Sequence, residues 1–223
     1  MILLVGPRRN KHESKIGGSE VLFENWIEFC DKNEIQIKVI DGNKFNYSNK
    51  IFAIILIIFN ILQYAPKTER IFLHGSKNDY LLLAPFAILI GKIFRKPVFL
   101  RKFAGNFHSV YQNAGWWKKC LYNYSLTQAD ILFWETKYLV DFGKKFNINS
   151  YWFPNTRNRP EFLKEEHPYR KKFVFISQVR KEKGIDILLE AFRLLGPDYK
   201  IDIYGTLMGH DENQLNGCYK GTL

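Results

Sequence analysis

The chain has 223 residues, 33 of them basic and 22 acidic, for a net charge of +11, and it is 46% hydrophobic and 16% aromatic. That is enough apolar material for a packed core and enough length for one large domain or one and a half ordinary ones. Cys30, Cys120 and Cys218 are odd in number and far apart, which excludes a disulfide framework and a CxxC metal site and fits a reducing, cytoplasmic compartment.

The positive surplus suits phosphates, anionic lipid or nucleic acid. The basic residues are scattered and carry no zinc-finger, homeodomain or RNA-recognition signature, so nucleic acid is not expected as a partner. A solvated surface accounts for most of them. The opening MILLVGPRRN has only four apolar residues after Met1, with its charges behind them, and does not read as a signal peptide.

In chain order, Met1 to Val5 reads as a buried strand closed by Gly6-Pro7. A polar loop follows and ends in Gly17-Gly18, with Ser19 placed to cap a helix whose face carries Leu22, Trp26, Phe29 and Cys30. Ile35 to Asp41 alternates as a second strand. Ile51 to Ala65 is an apolar helix, Arg70 to Gly75 a third strand, Tyr80 to Phe94 another apolar helix, and Lys96 to Arg101 a fourth strand. The two apolar runs are each short of the ~20 residues a membrane span needs. Asn60 and Gln63 interrupt the first, Pro85 and Lys92 the second, and buried helices flanking a sheet are expected. A helix lying in a membrane surface stays open for the first run.

After a loop, a helix is expected over Lys118 to Gln128, a fifth strand over Asp130 to Glu135, a helix over Thr136 to Phe146, and a sixth strand over Ser150 to Asn155. Strands alternating with helices at this spacing indicate parallel βαβ units with right-handed crossovers. Residues 1–155 then form a complete Rossmann-like α/β domain. The charged stretch 156–171, with Pro160 and Pro168, reads as a linker. Residues 172–223 begin a second unit. Lys172 to Ser177 is a strand, Ile185 to Leu195 a helix ended by Gly196-Pro197, YKIDIYG a strand, and GCYKGTL the start of another. With so few strands, Phe175, Ile201 and Ile203 are expected to be poorly covered.

Three places offer chemistry. Gly17-Gly18-Ser19 stands between a strand and a helix start, where backbone N–H groups and the helix dipole favour an anion. It is neither GxGxxG nor a P-loop. A tight turn with φ > 0 explains two glycines equally well. The segment Ser177 to Gly184 lies beyond a strand's carboxyl end, and Arg180 and Lys183 there suit a diphosphate. The third place, Arg101, Lys102, Asn106 and His108, follows the fourth strand; His108 is a candidate proton carrier or a surface residue.

ILLVGP…KIGGSEVLFENWIEFC…IQIKVID, YWFPNTRNRPEF and FISQVRKEKGIDILLEAF…KIDIYG occur in this order over nearly the whole chain. Together they resemble glycosyltransferase family 4. The resemblance implies two Rossmann-like domains facing across a cleft, and transfer of a sugar from a nucleotide donor to an acceptor hydroxyl with retention and without a metal or other cofactor. It implies that Gly17 and Gly18 lie beside the donor phosphates and acceptor, that Pro154-Asn155 turn into the second domain, and that Lys183-Gly184 hold the donor diphosphate. Gly205 would face the donor. The departures are Ser177-Gln178 where the family has Gly-Arg, leaving Arg180 as the second cation, and Phe103-Ala104-Gly105 about where the family has its His, with His108 a few residues late. The family's second domain continues well beyond the equivalent of Leu223, so the donor site is expected to be incomplete and the chain shortened. Expected partners are a nucleotide-sugar donor, a glycan or lipid-linked acceptor, a peripheral membrane contact and a separate chain supplying the rest of the second domain. A non-catalytic binding module and a membrane-surface protein of the same ancestry stand as alternatives.

Overall fold

The computed structural model describes residues 1–11, 17–102, 105–156, 170–215 and 217–222. The chain falls into two compact units, Met1–Asn158 and Arg159–Leu223.

The first unit is a parallel six-stranded sheet built from β1 (Ile2–Gly6), β2 (Ile37–Asp41), β3 (Arg70–Gly75), β4 (Val98–Lys102), β5 (Ile131–Trp134) and β6 (Ser150–Trp152). Its order is β2-β1-β3-β4-β5-β6, and all neighbours are parallel. The crossovers run through α1 (Gly18–Lys32), α2 (Lys50–Tyr64), α3 (Lys77–Phe94), α4 (Phe107–Gln112), α5 (Trp116–Gln128) and α6 (Lys137–Gly143). The step from β1 to β2 goes one way along the sheet and all later steps the other way. Right-handed crossovers therefore put α1 on one face and the remaining helices on the other.

Period-two alternation serves both faces. Leu3, Val5, Ile71, Leu73, Leu100, Leu132 and Trp134 meet the α2–α3–α5–α6 layer, and Leu4, Phe72, Phe99 and Phe133 meet the α1 side. Burial of such side chains stabilises by about 1.5–3 kcal/mol each. This is the expected Rossmann-like α/β fold, with boundaries moved by local chemistry. α3 begins at Lys77 rather than Tyr80, because the Asp79 carboxylate accepts hydrogen bonds from the Ser76 N–H and hydroxyl, each 2.7 Å. It runs on through Pro85. The apolar helices are not buried all round. α2 buries Ala53, Ile57 and Ile61 against the sheet, while Ile51, Ile55 and Phe59 stand in solvent. The sheet holds one stripe of each helix; the opposite stripe is apolar without being covered.

In the second unit β7 (Lys172–Ile176) and β8 (Lys200–Tyr204) pair in parallel across α7 (Ile185–Leu195). Tyr219 bridges in parallel to Ile203, so GCYKGTL does pair with the sheet. That pairing corrects the exposure expected for this unit. β8 lies between two neighbours, and Ile201 and Ile203 are buried, with Phe175 packed against the same core. Residues left exposed include Val174 and Ile176 on the edge strand and Ile187 and Leu194 on α7. Most of the expected linker, 157–169, lies outside the described residues.

Packing is close where α6 meets the sheet edge. A Cβ on Gly143 would lie 2.3 Å from Trp134 Nε1 and 2.8 Å from Ser150 Oγ. Gly143→Ala therefore loses about 1–3 kcal/mol to overpacking, read as a lower urea midpoint at unchanged slope. An unchanged midpoint contradicts this packing.

Candidate functional site

Strand order reverses between β1 and β3, which opens a crevice at their carboxyl ends where ligands of open α/β sheets bind. Two loops frame it rigidly. Gly42 N–H donates to the Gly6 carbonyl at 2.7 Å, and a Cβ on Gly42 would lie 3.2 Å from the Gly6 backbone. The Asp41 carboxylate accepts from the Arg8 and Asn43 N–H groups, and from the Asn46 amide at 2.7 Å. The loop after β1 is thus tied to the loop after β2 by backbone contact and short polar side chains.

Gly17 and Gly18 stand at the start of α1, beside this frame. Gly17 has φ −76°, and neither glycine has positive φ, so the left-handed turn that would have explained the pair is not present. A Cβ on Gly18 would meet nothing within 4 Å among the described residues. Among the described residues, neither backbone conformation nor internal packing there requires glycine. Ser19 is not the cap: the helix begins at Gly18, and the Gly17 N–H donates to Glu20 Oε2 at 3.0 Å. Glu20 Oε1 accepts from the Asn43 amide, also at 3.0 Å. A side-chain carboxylate already complements the positive end of α1.

The start of α3 is matched in the same way. Asp79, besides capping Ser76, pairs with Lys44 at 2.7 Å, with both side chains largely buried. Positive charge instead concentrates at the end of β4. Arg101 and Lys102 lie inside the strand and are buried. The Arg101 guanidinium sits 4.1 Å from the centre of the Phe153 ring and reaches the Pro154 carbonyl and Asn155 Oδ1 at 3.5 and 3.4 Å. Burial pushes its pKa down to about 10, against the opposing pull of Glu135. It therefore stays charged at neutral pH. The Pro154-Asn155 turn is thus held to the sheet by a buried cation. Lys102 Nζ lies over the Phe107 ring at 5.3 Å.

His74, one strand over, is 1% exposed and stacks on Phe72 at 4.6 Å, with Phe23 and Trp26 against its other sides. Burial, and secondarily Arg101, lowers its pKa well below the ordinary value. His108 has both ring nitrogens engaged, Nδ1 with the Tyr138 hydroxyl at 2.8 Å and Nε2 with the Gln112 amide at 3.1 Å. Asn106 immediately precedes α4; Phe103 and Ala104 lie outside the described residues.

In the second unit, the turn from β7 to α7 is pinned by Val179 and Ile185, both fully buried. Between them Lys181–Lys183 form a 3₁₀ turn, and Gly184 has φ +76°, the left-handed conformation that lets this turn run straight into α7. Arg180 is 3.9 Å from Glu182, and its Nε is enclosed without a hydrogen-bond partner among the described residues. Lys183 is exposed. His210 holds the Asp186 carboxylate, in the first turn of α7, at 2.8 Å. Gly205 has its own structural reason: its φ is +143°, and a Cβ would lie 1.7 Å from the Ser177 carbonyl oxygen. Among the described residues no group of three or more His, Cys, Asp or Glu could hold a metal ion.

Glu20, Asp79, Lys44 and His74 escape a reading of the sequence. Asp79 has a legible signal in Ser76-x-x-Asp79, the spacing of a capping box, and His74 is a lone imidazole in an otherwise apolar strand.

No family model matches the chain, and no curated protein matches its sequence. Solved structures do share its fold. HepE from Anabaena, in complex with UDP and glucose, aligns over 100% of this chain and 69% of its own length, at 13% identity and a TM-score of 0.61. The same protein in complex with UDP aligns over 99% and 68%, at 12% identity and a TM-score of 0.60.

The buried His74 makes a pH prediction. Its folded pKa lies below the unfolded value near 6.5, so the unfolded chain binds the extra proton first. Stability is fully present above about pH 6.5 and falls as pH drops below it, by up to about 1.4 kcal/mol per pH unit. His74→Phe, which keeps the aromatic stack, flattens the melting-temperature profile between pH 6.5 and 5. A profile as steep as that of the parent protein contradicts the assignment.

Proposed function

We propose that this chain is a glycosyltransferase polypeptide of the family 4 type, which moves a sugar from a nucleotide-sugar donor to an acceptor hydroxyl. The reading rests first on the cationic turn Ser177–Gly184. Arg180 and Lys183 lie beyond a strand's carboxyl end, ahead of a helix N-terminus, and Lys183 is exposed. A nucleoside diphosphate leaving group develops negative charge as its bond to the anomeric carbon breaks. Fixed cations and backbone N–H groups stabilise that charge without a metal. The fold shared with HepE, a protein crystallised with UDP and glucose, supports the same substrate class.

The first unit takes the acceptor side. With Glu20 occupying the positive end of α1, the open space over Gly18 suits a neutral hydroxyl better than a second phosphate. The acceptor is a glycan or a lipid-linked sugar, in synthesis of a surface polysaccharide. Gly184 and Gly205 shape the donor turn through their backbone conformation, and their contact with the donor is through the main chain. His108 is a proton carrier only if substrate displaces Tyr138 or Gln112 from its ring.

Two substitutions test the two halves separately. A charge-assisted contact contributes about 1.5–3 kcal/mol, so Lys183→Ala weakens binding of UDP or GDP roughly 10- to 150-fold in calorimetry. Equal affinity of the variant and parent protein rejects the donor turn. Gly18→Val places a branched side chain in the open space and abolishes sugar transfer while leaving the circular dichroism spectrum unchanged. Transfer surviving with a normal spectrum rejects the acceptor role of the loop. Nucleotide binding without transfer to any hydroxyl marks the chain as a binding module instead.

A further inference from the structure

α3 packs between α2 and α5, and the three helices form one layer over the sheet. The outward surface of that layer has an unusual composition. From Ile51 to Leu62 on α2 the exposed positions are Ile51, Phe52, Ile55, Phe59 and Leu62, and none is polar. From Tyr80 to Gly91 on α3 they are Leu82, Phe86 and Leu89, again all apolar, with Ile93 one turn further along the same stripe. On each helix the spacing i, i+4, i+7 or i+8, i+11 sets these residues opposite the buried stripe. Phe59 is 58% exposed and Ile93 62%. On α5, Trp116 is 78% and Trp117 49% exposed. Two outward apolar stripes on helices packed side by side, above a layer already packed from beneath, mark an interaction site.

α2 itself does not span a bilayer. By length and composition Lys50–Lys67 passes as a candidate span. But α2 is the crossover between β2 and β3, and Ala53, Ile57 and Ile61 close the sheet beneath it. Removing it would open the core. The surface it shares with α3 can only lie against something.

Charge selects the occupant. α2, α3 and α5 together carry five lysines and a single acidic residue, Asp79. Asp79 is turned inward onto Ser76 and Lys44. Lys50 opens α2 and lies 4.9 Å over the Phe45 ring. Lys118 and Lys119 follow the exposed Trp116 and Trp117, and Lys118 lies 5.2 Å over the Trp117 ring. Apolar side chains on one face, lysines around it and tryptophans at the margin suit an anionic lipid surface, where the rings and aliphatic chains enter the headgroup boundary and the ammonium groups meet lipid phosphates. A second copy of this chain, itself at +11, would bring lysines against lysines.

We propose that the outer surface of the α2–α3–α5 layer docks the protein onto an anionic membrane as a peripheral contact, with α2 and α3 lying in the plane of the interface. This does not rest on the sugar-transfer reading.

The test is flotation of the full chain with phosphatidylcholine vesicles, with and without about 30% phosphatidylglycerol, with sedimentation velocity run in parallel. The protein floats with the anionic vesicles and sediments as a monomer, and 0.5 M salt lowers the bound fraction. Phe59→Glu with Leu89→Glu, both at outward positions, lowers the partition coefficient at least tenfold, with an unchanged circular dichroism spectrum and melting temperature. Lys118→Ala with Lys119→Ala lowers it by about fivefold per lysine. No flotation with anionic vesicles overturns the proposal, as does equal flotation of Phe59→Glu/Leu89→Glu and parent protein. A dimer that this double variant converts to monomer, with no flotation in either case, assigns the surface to a second copy and equally overturns it.

Discussion

Parallel pairing of β1 with β2 on one side and β3 on the other is the constraint from which the first unit follows. Parallel strands cannot be joined by hairpins, so each return passes through a helix. The reversal of direction at β1 then separates α1 from the remaining helices and covers both sheet faces. It also gathers strand ends and loop starts at one edge. Gly6 and Gly42 touch there through their backbones, and Asp41, Asn43 and Asn46 fix the two loops to each other. The chemistry available at that edge is a consequence of the topology.

Electrostatics divides labour between the units. In the first, the helix N-termini of α1 and α3 are complemented from within, by Glu20 and Asp79. The cation at the sheet's carboxyl edge, Arg101, is committed to the Phe153 ring and the Pro154-Asn155 turn. In the second unit the cations stay on the surface, on a turn whose ends are anchored by Val179 and Ile185. A turn pinned at both ends by buried side chains is ordered before any ligand arrives, which on the proposed reading limits the ordering cost of binding a diphosphate.

The alternation of strand and helix, the parallel sheet and the position of each loop are legible from residue order because period two and period 3.6 are written into the apolar residues. Arg70–Gly75 is recovered to the residue. What escapes depends on partners distant in sequence. Glu20 meets Asn43, Lys44 meets Asp79, and His74 meets Phe23 and Trp26. No local pattern encodes those meetings. The burial of Ile201 and Ile203 depends likewise on packing with Val179, Ile185 and Leu215. α4 is not legible because six residues hold too few turns for a periodic signal, though Phe107 buries itself fully there. The outward apolar stripes of α2 and α3 were visible as hydrophobic runs, but composition alone cannot tell a buried helix from one with a sheet on one side only.

On the proposed reading, the turn between β7 and α7 binds the diphosphate of a nucleotide. Backbone amide shifts in a ¹H–¹⁵N spectrum, followed while UDP is added, test it most directly. Saturable shifts are expected, concentrated on Arg180 to Ile185 at the mouth of α7. Saturable shifts confined to other segments, or none at millimolar UDP, would contradict it.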